Sequence, residues 1–206
     1  MRVYVESNFV LEAALAQEQA AACGKILDLA EQRSVDLFLP AFCLAEPYHT
    51  LGGRHIQRQE LSQRLGRELQ QLSRSAPLTE QTNAHREAVA FLTRVGEDEA
   101  LRHRQATKRL LTSAQLLPLD REVIERSWDL ELNHDLTGPD AIVLASVLMH
   151  LERARSGDSL FLTKNAKDFE DPDIVANLTA QDCALLTNFD HGLARIEAKL
   201  RHESGA

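Results

Sequence analysis

The sequence predicts an α/β fold built on a mainly parallel β-sheet. Short, β-rich apolar runs alternate along the chain with longer segments of helical period. This alternation is typical of parallel strands joined by crossover helices. The chain of 206 residues is long enough to bury a core without disulfide bonds. We therefore expect residues 1–206 to form a single domain.

Five short runs are expected to form the strands of this sheet. Each is predominantly apolar over three to five residues, which suits a strand that is buried on both faces. In chain order they are Val3–Val5, Val35–Leu39, Leu116–Leu119, Leu160–Leu162 and Ala184–Thr187.

The longer segments repeat their apolar residues at helical spacing. Pro40 and Pro139 each open a helix, and the pair Gly52-Gly53 is expected to close the first of these two. The predicted helices are residues 12–32, residues 40–53, the region around Val123–Trp128, Pro139–Leu151 and residues 190–202.

Residues 54–113 are predicted to be a helical insertion in the domain. Leu61, Leu65 and Leu69 recur at helical spacing, as do the apolar residues after Ala84. No strand-like run interrupts the segment, so we expect two or more helices in succession.

The formal net charge of −8 argues against a protein that coats nucleic acid without specificity, because such binding depends on Lys and Arg. The charge is uneven, however. Residues 54–74 carry five arginines against two glutamates, whereas residues 120–140 carry seven acids against two arginines. A solvated helix face is the simplest explanation of any one such run.

Cysteine and histidine usage gives no sign of a disulfide framework or a metal site. Cys23, Cys43 and Cys183 are widely spaced and include no CxxC pair, so we interpret them as small buried hydrophobic residues. The eight histidines are interpreted as surface or core residues. No apolar run approaches the ~18 residues of a membrane span, and no signal segment follows Arg2. We expect a cytoplasmic protein without membrane contact.

Several polar side chains lie where ligands usually bind in open parallel sheets, beyond the carboxyl ends of the strands. Glu6 directly follows the first strand, and Asn165 and Asp168 follow the fourth. Glu46 and Asp140 lie near the starts of two helices. Carboxylates gathered in one site repel each other, and a hard divalent cation such as Mg²⁺ or Mn²⁺ is the usual means of keeping them ionised. Such a cation suits the chemistry of a metal-dependent nuclease.

Each acid also has a purely structural explanation. Thr137 and Asp140 fit a capping box, in which Asp140 would reach back to a free backbone N–H. Asp168 fits a turn, and Glu6 and Glu46 fit exposed surface acids. A small-molecule phosphohydrolase is disfavoured because no glycine-rich phosphate loop or nucleophilic aspartate follows a strand.

Four segments in order resemble the motifs of the PIN domain family. The first is a strand followed by an acid, Ser and Asn, and the second is a strand end and a helix that carries a glutamate. The third is an aspartate that opens a helix, and the fourth is a Thr-x-Asn sequence followed by Asp-Phe. They are Val3–Leu11, Leu39–Glu46, Asp140–Ser146 and Leu162–Phe169.

This resemblance implies a three-layer α/β/α domain that cleaves RNA with Mg²⁺ or Mn²⁺, as the toxins of bacterial toxin–antitoxin pairs do. By position, the catalytic residues would be Glu6, Glu46, Asp140 and Asp168. Glu6, Asp140 and Asn165 would bind the metal, with either Asn165 or Asp168 filling the fourth acidic position. An antitoxin or a second copy of the chain would be a further partner.

Other residues would support this site. Ser7 and Thr163 would orient the metal-binding groups, and Asn8 would brace the first loop. We expect Arg58, Arg64 and Arg67 of the insertion to guide the RNA backbone, because they are clustered in a strongly negative chain.

The chain departs from the family pattern at two positions. The first acid is normally Asp, and Glu6 is one methylene longer, which could displace a ligand by more than the ~0.5 Å that a catalytic site tolerates. Pro47 disfavours helical geometry at Glu46 and is expected to redirect that carboxylate. The alternative function is therefore a catalytically degenerate PIN domain that binds RNA or another protein.

Overall fold

Five parallel strands form the single sheet of the computed structural model, which describes residues 1–154 and 157–204. The spatial order is β3-β2-β1-β4-β5. The strands are β1 (Arg2–Val5), β2 (Asp36–Pro40), β3 (Ala114–Leu117), β4 (Ser159–Leu162) and β5 (Cys183–Leu186). All five predicted strands are therefore present, and the predicted parallel α/β sheet is confirmed.

Ten α-helices surround this sheet within the described residues. They are α1 (Ser7–Leu15), α2 (Ala20–Glu31), α3 (Phe42–Leu72), α4 (Thr79–Ala84), α5 (Arg86–Ser113), α6 (Arg121–His134), α7 (Gly138–Arg153), α8 (Ala166–Phe169), α9 (Pro172–Thr179) and α10 (Phe189–Ser204). α6 and α7 pack together, with α7 against β2 and β3. On the other face, α2 lies against β2, and α10 against β4 and β5. The arrangement is the expected three-layer α/β/α fold.

The order in which the chain adds strands to the sheet reverses at the central strand β1. β1 pairs on one side with β2 and on the other with β4, and Val5 lies opposite Leu162 in the second pair. The central strands are apolar, and Tyr4 and Phe161 are fully buried. The carboxyl ends of β1 and β4 thus lie side by side at the switch point, which is the usual ligand position in such sheets.

The predicted single helix over residues 12–32 is wrong, because the structure has two helices there. α1 begins at Ser7 and ends at Leu15, and Ala16 then adopts a left-handed conformation with φ 51°. The backbone N–H of Gln19 binds the carboxylate of Glu12 at 2.9 Å. The hydrogen bond gives a partner to a backbone N–H in the turn between the two helices. α2 then starts at Ala20.

Gly52 and Gly53 do not close a helix, contrary to the prediction. α3 continues through both to Leu72, a length of 31 residues. Pro47 also lies inside this helix, so the prediction that it would disturb helical geometry at Glu46 is wrong. α3 packs along α5, and this packing outweighs the weak helix propensity of the glycines. α3 and α5 form a long hairpin that contains most of the predicted helical insertion.

The core contains all three cysteines as free, buried thiols, as predicted. Tyr4 is also fully buried, and its hydroxyl lies 2.8 Å from Nδ1 of His150. Every helix in the described parts of the chain is too short or too polar to cross a lipid bilayer.

Candidate active site

The first element of the candidate site is a contact between the ends of two neighbouring strands. Glu6 follows β1 and Thr163 follows β4, and both side chains are buried. The hydroxyl of Thr163 donates a hydrogen bond to Oε1 of Glu6 at 3.0 Å. The register of β1 and β4 therefore places the first and fourth sequence motifs in direct contact.

Glu6 also begins α1. Its backbone is extended, and its Oε2 accepts the backbone N–H of Asn8 at 2.7 Å, which caps the helix. Burial raises the pKa of Glu6 to about 7, because desolvation disfavours the charged carboxylate. Hydrogen bonds from Asn8 and Thr163 act in the opposite direction. The surface-acid interpretation of Glu6 is wrong, since only 5% of the residue is exposed.

Asn165 extends this contact to Asp140. Its backbone N–H donates to the hydroxyl of Thr163 at 2.9 Å, and its side-chain amide donates to Oδ1 of Asp140 at 3.1 Å. Glu6, Thr163, Asn165 and Asp140 thus form one continuous hydrogen-bonded chain, which we call the acid network. Three distant sequence motifs contribute to it.

The capping-box explanation of Asp140 does not hold. Thr137 is the N-cap residue of α7, but its side chain makes no capping hydrogen bond. Its hydroxyl instead donates to Oδ2 of Asp140 at 2.6 Å. Both carboxylate oxygens of Asp140 accept side-chain donors, so the carboxylate is held at the start of α7 and directed toward Asn165.

Glu46 joins the same region through Ser7. The buried hydroxyl of Ser7 donates to the carboxylate of the half-buried Glu46. Because Ser7 directly follows Glu6, this contact brings α3 to the end of β1. Asn8 contributes its backbone N–H to Glu6, as described above.

Asp168 lies apart from the acid network. It is half-buried on the short helix α8 and lines a cavity of about 570 Å³ together with His134 and Asp171. In the described residues Asp168 takes part in none of the hydrogen bonds of the acid network, whose connection to Asp140 is made by the side-chain amide of Asn165. Asn165 is therefore the residue that the structure connects to the other candidate ligands.

The donor chemistry of the site fits a hard divalent cation. Glu6, Glu46 and Asp140 offer carboxylate oxygens and Asn165 offers an amide oxygen, which are ligand types that Mg²⁺ and Mn²⁺ prefer. The ligand atoms of these residues do not surround one point closely. In the described part of the chain, these acids do not bring three ligand atoms within 4.8 Å of one another. They are connected through hydrogen bonds of Thr163, Asn165 and Ser7.

An ion pair between a buried glutamate and a partly exposed lysine beside the site was missing from the sequence interpretation. Glu12 is 1% exposed and binds Nζ of Lys164, which lies between Thr163 and Asn165 in sequence. This pairing raises the pKa of Lys164. One signal was available: Glu12 follows Phe9 by three residues, so a helix that buries Phe9 also directs Glu12 inward.

The three candidate arginines on α3 differ in their surroundings. Arg58 uses both terminal nitrogens to bind the carboxylate of Glu99 on α5. Arg64 is exposed, and Arg67 is exposed with its Nε 3.4 Å from the carbonyl of Gln63. Arg64 and Arg67 thus present their charge to solvent, whereas Arg58 connects the two helices of the hairpin.

Comparison with known proteins agrees with these motifs. A sequence model of the PIN domain matches residues 3–169, which include β1 except for Arg2, all of β2 to β4, and every residue of the acid network. No curated protein and no solved structure matches the chain significantly. Since the match covers most of the chain, the protein belongs to the PIN domain family, whose members are generally nucleases.

Proposed function

We propose that the protein is a metal-dependent endoribonuclease of the PIN family. The observation that carries this proposal is the acid network, which joins Glu6 to Asp140 through Thr163 and Asn165. It lies at the carboxyl ends of β1 and β4, where open α/β sheets usually bind ligands.

In this proposal, Glu6, Asp140 and Asn165 hold Mg²⁺ or Mn²⁺. When bound, the cation supplies activation of water and neutralises negative charge on the phosphodiester. Glu46, which accepts a hydrogen bond from Ser7, and Asp168 on α8 position the reacting groups. Thr163 fixes one oxygen of Glu6 by its hydrogen bond.

Ser7, Asn8 and Thr137 have positioning roles. Ser7 orients Glu46, and the backbone N–H of Asn8 fixes the second oxygen of Glu6. Thr137 fixes the oxygen of Asp140 that does not bind Asn165. These contacts restrict the carboxylates before substrate arrives, which lowers the cost of ordering them during reaction.

The proposed reaction is hydrolysis of one RNA phosphodiester bond. The oxygen of water forms a bond to phosphorus as one of its O–H bonds breaks, the bond from phosphorus to one ribose oxygen breaks, and that ribose oxygen takes up the proton that the water releases. The exposed arginines Arg64 and Arg67 would attract the RNA backbone, which the net charge of −8 would otherwise repel. Arg58 could join them only by exchanging Glu99 for a phosphate.

A catalytically degenerate PIN domain is the second candidate function. Two observations favour it: both carboxylate oxygens of the buried Glu6 already accept hydrogen bonds, and the acids are not gathered around one point. Such a protein would bind RNA or another protein without cleaving it. Glu6→Asp separates the two functions, because it should slow an adapted nuclease but could create Mn²⁺-dependent cleavage in a degenerate domain.

Partners and location belong to the same proposal. A toxin-type PIN protein would act in the cytoplasm, where free thiols such as the three cysteines here persist. Its partner would be an antitoxin or a second copy of the chain.

Metal binding tests the nuclease proposal directly. Calorimetric titration with MnCl₂ should show binding to the wild type and at least tenfold weaker binding to Asp140→Asn. Asp129→Asn removes an exposed acid on α6 and should bind as the wild type does. Equal Mn²⁺ affinity in all three proteins would contradict the assigned site.

A further inference from the structure

A second group of metal-ligating side chains lies outside the acid network. His134 is the last residue of α6, Asp171 is the N-cap residue of α9, and Asp173 lies in the first turn of α9. One ligand atom from each of these three residues lies within 4.8 Å of the other two. No other group of three such residues occurs in the described ranges of the chain.

The imidazole of His134 is the most informative member. Its side chain is only 10% exposed, and its Nδ1 lies 3.7 Å from Oδ1 of Asp171. That distance is too long for a hydrogen bond. In the part of the chain that the structure describes, the ring has no other hydrogen-bond partner. Because His134 also lines the cavity that contains Asp168 and Asp171, a cation that enters this cavity from solvent can reach the unpartnered ring nitrogen.

The spacing suits two ligands of one cation. Zn²⁺ binds imidazole nitrogen and carboxylate oxygen at about 2.0–2.2 Å, which places tetrahedral ligands roughly 3.3–3.6 Å apart. The observed 3.7 Å between His134 and Asp171 is close to this separation. Asp171 is already fixed, because its Oδ1 accepts the backbone N–H groups of Asp173 at 2.9 Å and Ile174 at 3.3 Å.

The donor set also indicates the class of cation. One imidazole nitrogen with two carboxylates suits Zn²⁺ and similar transition metals, whereas Mg²⁺ prefers oxygen ligands alone. The adjoining cavity of about 570 Å³ has room for water to complete the coordination. Lys167 also lines that cavity, and its positive charge lowers the affinity of any cation there.

We propose that His134, Asp171 and Asp173 bind one Zn²⁺-class cation that joins the end of α6 to the start of α9. Asp168 lies three residues before Asp171, so the cation would also restrain the segment that carries this candidate catalytic residue. The site does not depend on the nuclease proposal, since it shares no ligand with the acid network.

Calorimetric titration of the full chain with ZnCl₂ tests this proposal. The titrated protein carries Asp140→Asn, and this variant is called the background protein. The substitution weakens metal binding at the acid network, so that binding at the second site can be observed. We expect one Zn²⁺ per chain, and at least tenfold weaker binding after either His134→Asn or Asp173→Asn. His191→Asn, which changes an exposed histidine on α10, should bind as the background does.

Asp173→Asn is the more secure variant, because Asp173 is exposed and does not cap the helix. Circular dichroism of each variant without metal confirms that it is folded. Zinc should also raise the melting temperature of the background protein but not that of the folded variants. Absence of zinc binding, or unchanged affinity in either folded variant, would overturn the proposal.

Discussion

Thr163 donates a hydrogen bond of 3.0 Å to the carboxylate of Glu6, although 157 residues separate the two in sequence. The same hydroxyl accepts the backbone N–H of Asn165. One buried threonine therefore connects the end of β1 to the loop after β4. The position of Glu6, and through Asn165 that of Asp140, depends on this contact.

Removal of the Thr163 hydroxyl should destabilise the protein. Thr163→Val keeps the shape of the side chain but leaves Oε1 of Glu6 and the N–H of Asn165 without this partner. Buried polar groups that lose their partner cost about 1–3 kcal/mol each, so the two groups together should cost roughly 2–6 kcal/mol. Urea denaturation should show a loss in that range for Thr163→Val and a much smaller loss for Thr163→Ser. Equal stability of wild type and Thr163→Val would contradict the role of the hydroxyl.

Gly192 allows α10 to approach β4 directly beneath the site. A Cβ atom at this position would lie 2.5 Å from Cδ2 of the fully buried Leu162. Gly192→Ala should therefore lower the free energy of unfolding by roughly 1–3 kcal/mol through overpacking. Gly24→Ala on α2 is the matched control, since its Cβ meets nothing within 4 Å. That change should stabilise the protein by about 0.5–1 kcal/mol. Two equally stabilised variants would show that α10 is not in close contact with β4.

The sequence was sufficient to predict the strands and the edge of the sheet at which several of the candidate site residues meet. Strands such as Val3–Val5 are continuous apolar runs, and parallel strands bring their carboxyl ends to one edge. Glu6 and Asn165 could therefore be placed together before their contacts were known.

Contacts between distant segments could not be predicted in this way. Gly52 and Gly53 indicate a helix end locally, but packing on α5 keeps α3 intact. Thr137 and Asp140 match a capping pattern, yet Asn165 from another loop gives Asp140 a different role. The approach of His134 to Asp171 likewise depends on the tertiary fold, which brings the end of α6 near the start of α9 and leaves no periodic signal in the sequence.

The exposed arginines of α3 should contribute to RNA affinity through charge. Charge reversal of both Arg64 and Arg67 should weaken binding to single-stranded RNA. It should also reduce the slope of log affinity against log salt by about 0.7 for each phosphate that the protein no longer neutralises. Filter binding at several salt concentrations measures both quantities. Reversal of Arg33 and Arg201, which are exposed elsewhere, serves as the control. If both double variants behave alike, α3 is an ordinary solvated surface.

Stability should depend on pH through His103. This residue is 3% exposed, its Nε2 has no hydrogen-bond partner in the described structure, and burial lowers its pKa. It packs against Tyr48, and the neighbouring charged groups are His55, Glu97, Glu99 and Arg104. The unfolded chain, with the ordinary histidine pKa of 6.5, binds the proton more readily. The neutral imidazole of His103 therefore makes its full contribution to the free energy of unfolding above about pH 6.5. This contribution is lost as the pH falls below that value.

Urea denaturation of wild type and His103→Gln between about pH 7 and pH 5 checks this sign. Glu6 has a raised pKa and acts in the opposite direction, and His150 has a lowered pKa and acts in the same direction. The effect of His103 is therefore given by the difference in unfolding free energy between the wild type and His103→Gln. The wild type should lose more stability than His103→Gln as the pH falls. A steeper loss in His103→Gln would contradict the buried, neutral state of the imidazole.

The most direct test of a nuclease centred on the acid network is cleavage of a mixed pool of single-stranded RNA in MnCl₂. Wild type, Glu6→Gln, Asp140→Asn and the exposed control Asp129→Asn are purified identically and compared by initial rate. We predict cleavage by the wild type and the control. Glu6→Gln and Asp140→Asn should each be at least tenfold slower, which corresponds to about 1.4 kcal/mol of activation barrier. No cleavage by the wild type, or cleavage that survives both site substitutions, would contradict a nuclease at this site.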